Sequence, residues 1–164
     1  SNRVLFPEQQ NKAYISVGGL TPAQQATIKA WTAAGGVLLH AYTAYRQSHK
    51  AGNNLFLETI FGYSNIGAVG LKHTTSTRTG AADATLCLSA ANGAPATLPY
   101  RNAVYNVYEK DIVANGGMTF YRDNRNAGNP ALSESAVFGI PYVSGYVIGL
   151  SYDFFEKPYR SRHD

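Results

Sequence analysis

Cysteine, charge and long apolar runs are all scarce in this chain, and each shortage excludes something. Cys87 stands alone among 164 residues. No internal disulfide can form, and a small secreted scaffold stapled by disulfides is excluded. In ATLCLSAA, Cys87 reads as a buried small hydrophobe. Asp, Glu, Lys and Arg make up 15% of the residues, against roughly 25% in an ordinary soluble domain. The net charge of +4 is a mild basic excess that does not choose among nucleic acid, a membrane surface and an anionic small ligand. No stretch reaches about 18 apolar residues, so no membrane span is expected, and no signal-peptide pattern opens the chain. Ser1-Asn2 reads as a tag remnant. His40, His49 and His73 show no metal-ligand spacing and have no Cys pair beside them, so no metal site is expected. A G-x-S-x-G elbow and a Gly-rich nucleotide cradle are both missing.

What is present favours sheet. Twelve Tyr and 16 Gly suit strands joined by polar turns better than a helical bundle. The length fits one domain with a core of its own. NRVLF is a short candidate strand. Gly18-Gly19-Leu20-Thr21-Pro22 reads as a turn feeding a helix, with Thr21 as N-cap and Pro22 at the first helical position. That helix extends to about Ala34 and stops at Gly35-Gly36. Val37 to Tyr45 fits strand or helix. Ser48 to Asn54 reads as a polar loop, and Leu55 to Phe61 as an apolar run. Gly67 to Thr79 reads as a strand edge rich in hydroxyls, and the Ala-rich Gly80 to Ala91 as a second helix. Asn102 to Asp111 alternates as a strand does, and Gly116 to Tyr121 is a candidate strand. RDNRNAGNP, residues 122–130, is nearly all turn formers. Two strands are expected around an Ile140-Pro141 turn. With most strands late in the chain, the fold class is α+β.

Glu134 is the residue on which a functional reading turns. It lies in ALSESAVFGIPYVSGYVI, residues 131–148, just ahead of an apolar strand, and carboxylates seldom sit among apolar residues without a partner. This stretch, with Arg3 in NRVLF, Gly18-Gly19-Leu20-Thr21-Pro22, His40 in VLLHAYT and Thr74-Thr75-Ser76, resembles the ADP-ribosylating toxins of the cholera and heat-labile enterotoxin A chain and pertussis toxin catalytic subunit type. The pieces come in that family's order over about residues 1 to 150.

The resemblance implies a single ADP-ribosyltransferase-like domain of two packed, curved β-sheets with flanking helices and an NAD cleft, with 151–164 as an aromatic and basic tail. It implies a mono-ADP-ribosyltransferase toxin or effector, with NAD as substrate and a host or target-cell protein as acceptor. A delivery subunit is a candidate partner, and no specific nucleic acid is expected. The protein would be secreted and act in the target-cell cytosol. On this resemblance Glu134 is catalytic, Arg3 positions the cofactor, and His40, Thr74, Thr75 and Ser76 shape the nicotinamide pocket. Asn124, Arg125 and Leu132 fall in the loop that meets the target. The chemistry suits these residue types, because a fixed carboxylate stabilises the oxocarbenium-like ribose formed as the glycosidic bond breaks. The chain departs from the family at Asn2, at Leu5 and above all at Leu132, where the family has Glu or Gln. An apolar side chain there implies an unusual acceptor, a substitute residue, or NAD cleavage alone. Two other readings stay open: a ribonuclease using His40, His49, His73 and Glu134 as acid and base, and a non-enzymatic Tyr-rich binding module.

Overall fold

A computed structural model describes residues 3–6, 20–41, 56–66, 68–84, 89–126 and 128–151. The Gly18-Gly19 turn, the 48–54 loop, His49, Cys87 and all of the tail after Ser151 lie outside these residues. For 3–6, 41, 68–74 and 100–105 the description is of backbone alone.

The elements run β1 (Arg3–Phe6), α1 (Pro22–Ala33), β2 (Val37–Ala41), a helical segment at 56–61, β3 (Ala68–Arg78), α2 (Gly80–Asp83), a 3-10 turn (Ala90–Asn92), β4 (Thr97–Tyr108), α3 (Glu109–Ala114), β5 (Met118–Asp123), β6 (Glu134–Tyr142) and β7 (Gly145–Leu150). The fold is therefore mixed α+β. Helix α1 begins with the chemistry its sequence predicts. Gln24 N–H donates to Thr21 Oγ1 at 3.3 Å, Thr21 N–H donates back to Gln24 Oε1 at 2.8 Å, and Pro22 occupies the first turn. This is a capping box, which satisfies two otherwise orphaned amide donors. The helix ends where Gly35 takes φ of +105°, a region that favours glycine. Of the Ala-rich stretch, the described residues hold a helix over Gly80–Asp83 and a 3-10 turn over Ala90–Asn92.

The strands form one hydrogen-bonded sheet in the order β1-β2-β7-β6-β4-β3-β5, with β5 also paired to β6. That extra pairing curls the sheet onto itself, so β3, β5, β6 and β4 close a small antiparallel barrel at one end. The expected pair of separate sheets is thus a single continuous sheet with a curled end. Strand β6 does most of the joining. Its residues Glu134 and Ser135 pair with β4, Val137–Tyr142 pair with β7, and Ser135–Gly139 pair with β5 on the other side. Strands β1 and β2 add to β7 in parallel.

Apolar clusters lie on both sides of this sheet. One packs Leu38, Phe56, Ile60, Phe138, Ile140 and Val147 against Ile28 and Trp31 of α1. The other gathers Leu98, Phe120, Tyr121, Val137 and Ile148. No helix among the described residues is long and apolar enough to cross a membrane.

The expected Ile140-Pro141 turn is not a turn. Strand β6 runs through it, with Pro141 opposite Tyr146, and the reversal comes at Val143-Ser144 between the paired Tyr142 and Gly145. The turn is pressed against α1: a Cβ on Gly145 would lie 1.8 Å from the Thr32 carbonyl oxygen. Val143 holds φ of +54°, an outlier for a β-branched residue, and it is 80% exposed. Val143→Gly is expected to stabilise the fold by on the order of 1 kcal/mol by releasing this strain. A denaturant midpoint that falls in the variant would show that the turn is unstrained.

Candidate active site

The polar end of the small barrel collects residues from four strands and one loop. Asp123 is the last residue of β5 and Glu134 the first of β6, so the loop 124–133 carries a carboxylate at each root. Both are buried, at 0% and 2% exposure. A buried carboxylate costs several kcal/mol unless paired and hydrogen-bonded, and here one amide and one guanidinium serve both. Asn106 Nδ2 on β4 donates to Asp123 Oδ2 and to Glu134 Oε2, the latter at 3.2 Å. Arg125 Nη2 lies 3.2 Å from Glu134 Oε2 and 3.7 Å from Asp123 Oδ2. The Arg125 backbone N–H donates to Asp123 Oδ1 at 2.7 Å, and Asn126 Nδ2 reaches Glu134 Oε1 at 3.4 Å. The start of the loop thus roofs the two acids.

The hydroxyl-rich strand forms the adjoining wall. Ser76 pairs with Asp123 across β3 and β5. It is 1% exposed, and its Oγ has no hydrogen-bond partner among the described residues. The Asn106 Oδ1 and Ser133 Oγ atoms are in the same position. Buried polar atoms are normally satisfied, so such atoms on Asn106, which bonds both acids, and on Ser76, paired with Asp123, mark a polar interior and not a packed core. Asn124 clamps the other side of β3: its Nδ2 donates to Thr75 Oγ1 at 2.9 Å and its Oδ1 accepts from Thr77 Oγ1 at 2.7 Å.

A groove of about 580 Å³ runs outside the barrel, past Thr77, Arg78, Glu109, Val113, Met118 and Arg122. Arg122 is held there by both oxygens of Glu109, at 2.7 and 3.1 Å. Consecutive strand residues face opposite sides, so Arg122 lines this groove while Asp123 turns into the barrel.

Comparison with protein-family models, with curated proteins and with solved structures finds no match to this chain.

The sequence candidates divide into those gathered at this end and those held away from it. Glu134, Ser76 and Arg125 are together, with Thr75 and Asn124 bound to each other on the other side of β3. Thr74 lies on β3 opposite Arg101. Leu132 is in the loop, 44% exposed. Arg3 is on the far edge: the register runs from Arg3 to Val37, Tyr146 and Pro141. Pro141 is seven residues along β6 from Glu134, about 23 Å of strand at ~3.3 Å per residue. The register does not bring Arg3 to Glu134.

His40 is a second correction. Its register partner chain leads through Gly149 to Phe138, two strands across and four residues beyond Glu134. It is buried and stacks on Phe56 with ring centroids 4.5 Å apart. Burial lowers its pKa from 6.5 to about 3, so the ring is neutral near pH 7. Its VLLHA strand is core, and the neutral ring serves as an aromatic packing unit.

Asp123 and Asn106 were missed in the sequence. The available signal was weak: Asn106 is a polar residue at a position of a strand whose neighbours on the same face are Val104 and Tyr108, and such a residue is usually paired when buried.

Two outcomes check this geometry. Asn106→Leu removes the amide shared by two buried acids, and a loss of about 2–3 kcal/mol is expected in denaturant unfolding. A near-neutral result would mean the acids are solvated. The unfolded chain takes up a proton on His40 below pH 6.5 while the folded chain resists until about 3, so stability contributed by this site falls as pH drops. Between about pH 7 and pH 5 wild type should lose about 2 kcal/mol more than His40→Phe. Equal pH dependence in the two proteins would contradict the burial of His40.

Proposed function

We propose that the polar end of the small barrel cleaves NAD at its nicotinamide–ribose bond and passes ADP-ribose to a protein acceptor, as in an ADP-ribosyltransferase toxin or effector. The observation that carries this reading is Glu134: a buried, multiply hydrogen-bonded carboxylate at the first position of a strand, beside the hydroxyl wall of β3 and under the loop that precedes it. A carboxylate fixed in this way before reaction stabilises a ribose cation without reorganising, which is where electrostatic catalysis gains most. Asp123 supplies the second acid of the site. Ser76 is the hydroxyl that shapes the pocket, Thr75 holds Asn124 on the other side of β3, and the exposed part of the 124–133 loop, with Leu132, is the surface for the acceptor.

Glu134 is almost fully covered, so NAD reaches it only when Arg125 and Asn126 swing aside. Loops of this kind commonly gate a site. Arg3 and His40 take no part in this mechanism. The ribonuclease reading is not favoured, because His40, one member of its acid–base set, is sealed in the core.

Nicotinamide release from NAD tests the proposal. Wild type should release it, and Glu134→Ala should lower the rate on the order of a hundredfold or more. No release from folded wild type, with or without a lysate as acceptor source, would overturn it.

A further inference from the structure

The groove outside the barrel holds a cation and an apolar flank that the NAD reading does not use. Glu109 and Val113 share one face of α3, and β5 contributes Met118, Thr119 and Arg122 to the same lining. Glu109 accepts from Arg122 Nε and Nη2 and so occupies one side of the guanidinium. A guanidinium carries five N–H donors in a fixed fork. The donors on Nη1, and the second on Nη2, have no partner among the described residues. The Arg122 side chain is 42% exposed, so a ligand can reach them. Val113 is 65% exposed and Met118 39%, two of the four large apolar side chains that the described residues leave in water. Thr119 Oγ1, also of this lining, is buried without a hydrogen-bond partner among the described residues. The volume of about 580 Å³ falls in the range of small-molecule sites, roughly 300–1,000 Å³.

From this arrangement we propose that the groove binds a small organic monocarboxylate with an apolar tail. The carboxylate takes the unused end of the Arg122 fork, a bidentate match in shape and charge, and the tail covers Val113 and Met118. Charge favours a monoanion. Arg78 and Arg122 against Glu109 leave one net positive charge on the lining, and Asp83, 3.3 Å from Arg78 Nε, offsets the other cation. A dianionic phosphate would meet Glu109 at close range with Arg78 already taken. Glu109 therefore acts in two ways: it aims the guanidinium, and it lowers the attraction for the anion. Arg122 and Asp123 face opposite sides of β5, so the site does not depend on the NAD reading.

Met118 is the one methionine of the chain, so protein isotope-labelled at the Met methyl gives one nuclear magnetic resonance signal, from the wall of the groove. Titration with hexanoate should move this signal along a saturable curve. Hexanamide, the same tail without the charge, should bind on the order of tenfold more weakly. Arg122→Gln should weaken hexanoate binding by a similar factor, and Val113→Ser should weaken it by removing the flank. Glu109→Gln should strengthen it, because the variant frees two more donors and removes a negative charge. An ion pair that only braced α3 on β5 would be lost equally in Arg122→Gln and Glu109→Gln, so opposite effects on binding separate a site from a strut. Circular dichroism checks that each variant is folded; if Arg122→Gln unfolds, the Glu109→Gln and amide comparisons still decide. No saturable shift in wild type, equal binding of acid and amide, or weakened binding in Glu109→Gln would each overturn the proposal.

Discussion

Strand β6 is hydrogen-bonded on both edges through its middle, from Ser135 to Gly139, with β5 on one side and first β4, then β7, on the other. Every residue from Glu134 to Ile140 is buried in consequence. Glu134 itself pairs only with Tyr108 of β4, and Asn106, Arg125 and Asn126 close over its side chain. The acid at 134 is interior because of where the strand starts, and its neighbours must compensate for lost water. The shared amide of Asn106 and the shared guanidinium of Arg125 do this, and they draw in Asp123 from the other root of the loop. The closure of the barrel and the presence of a polar site are two aspects of one constraint.

The site is not optimised for stability. Asn106 Oδ1, Ser76 Oγ and Ser133 Oγ sit in the interior without partners among the described residues, each at a cost of about 1–3 kcal/mol if it is left unsatisfied. The remainder of the barrel, around Leu98, Phe120 and Val137, is apolar and well filled. Local rule-breaking concentrated at one end of a structure is the pattern expected where function competes with packing.

Local chemistry was readable in the sequence, and closure was not. Thr21, Pro22 and Gly35 announce helix α1 because capping and termination are decided within a few residues. The alternation in NAVYNVY announces β4 for the same reason, and an acid ahead of an apolar strand singled out Glu134. Pro141 misled, because proline usually interrupts a strand. Here it lies past the last register pair with β5, Met118 with Gly139, where its missing N–H breaks no bond on that side. His40 misled because burial depends on what packs over the strand, in this case Phe56 from a distant segment. Asp123 escaped notice because its partner Asn106 is brought to it only when β3 through β6 close. The pairing of β5 with both β3 and β6, which makes the site, leaves no periodic trace in either strand.

The parallel part of the sheet has a different history from the antiparallel part. Strands β3 to β7 pair mainly with neighbours in sequence, and β6 reaches β7 through a two-residue reversal. Among the described residues, β1 and β2 join only each other and β7, and the β2–β7 pairing closes the longest loop in the sheet. Contacts that close short loops form sooner than contacts that close long ones. Every residue of the polar end, from Thr75 to Glu134, belongs to the early group. Loop-closure entropy therefore favours forming the polar end before β2 docks on β7.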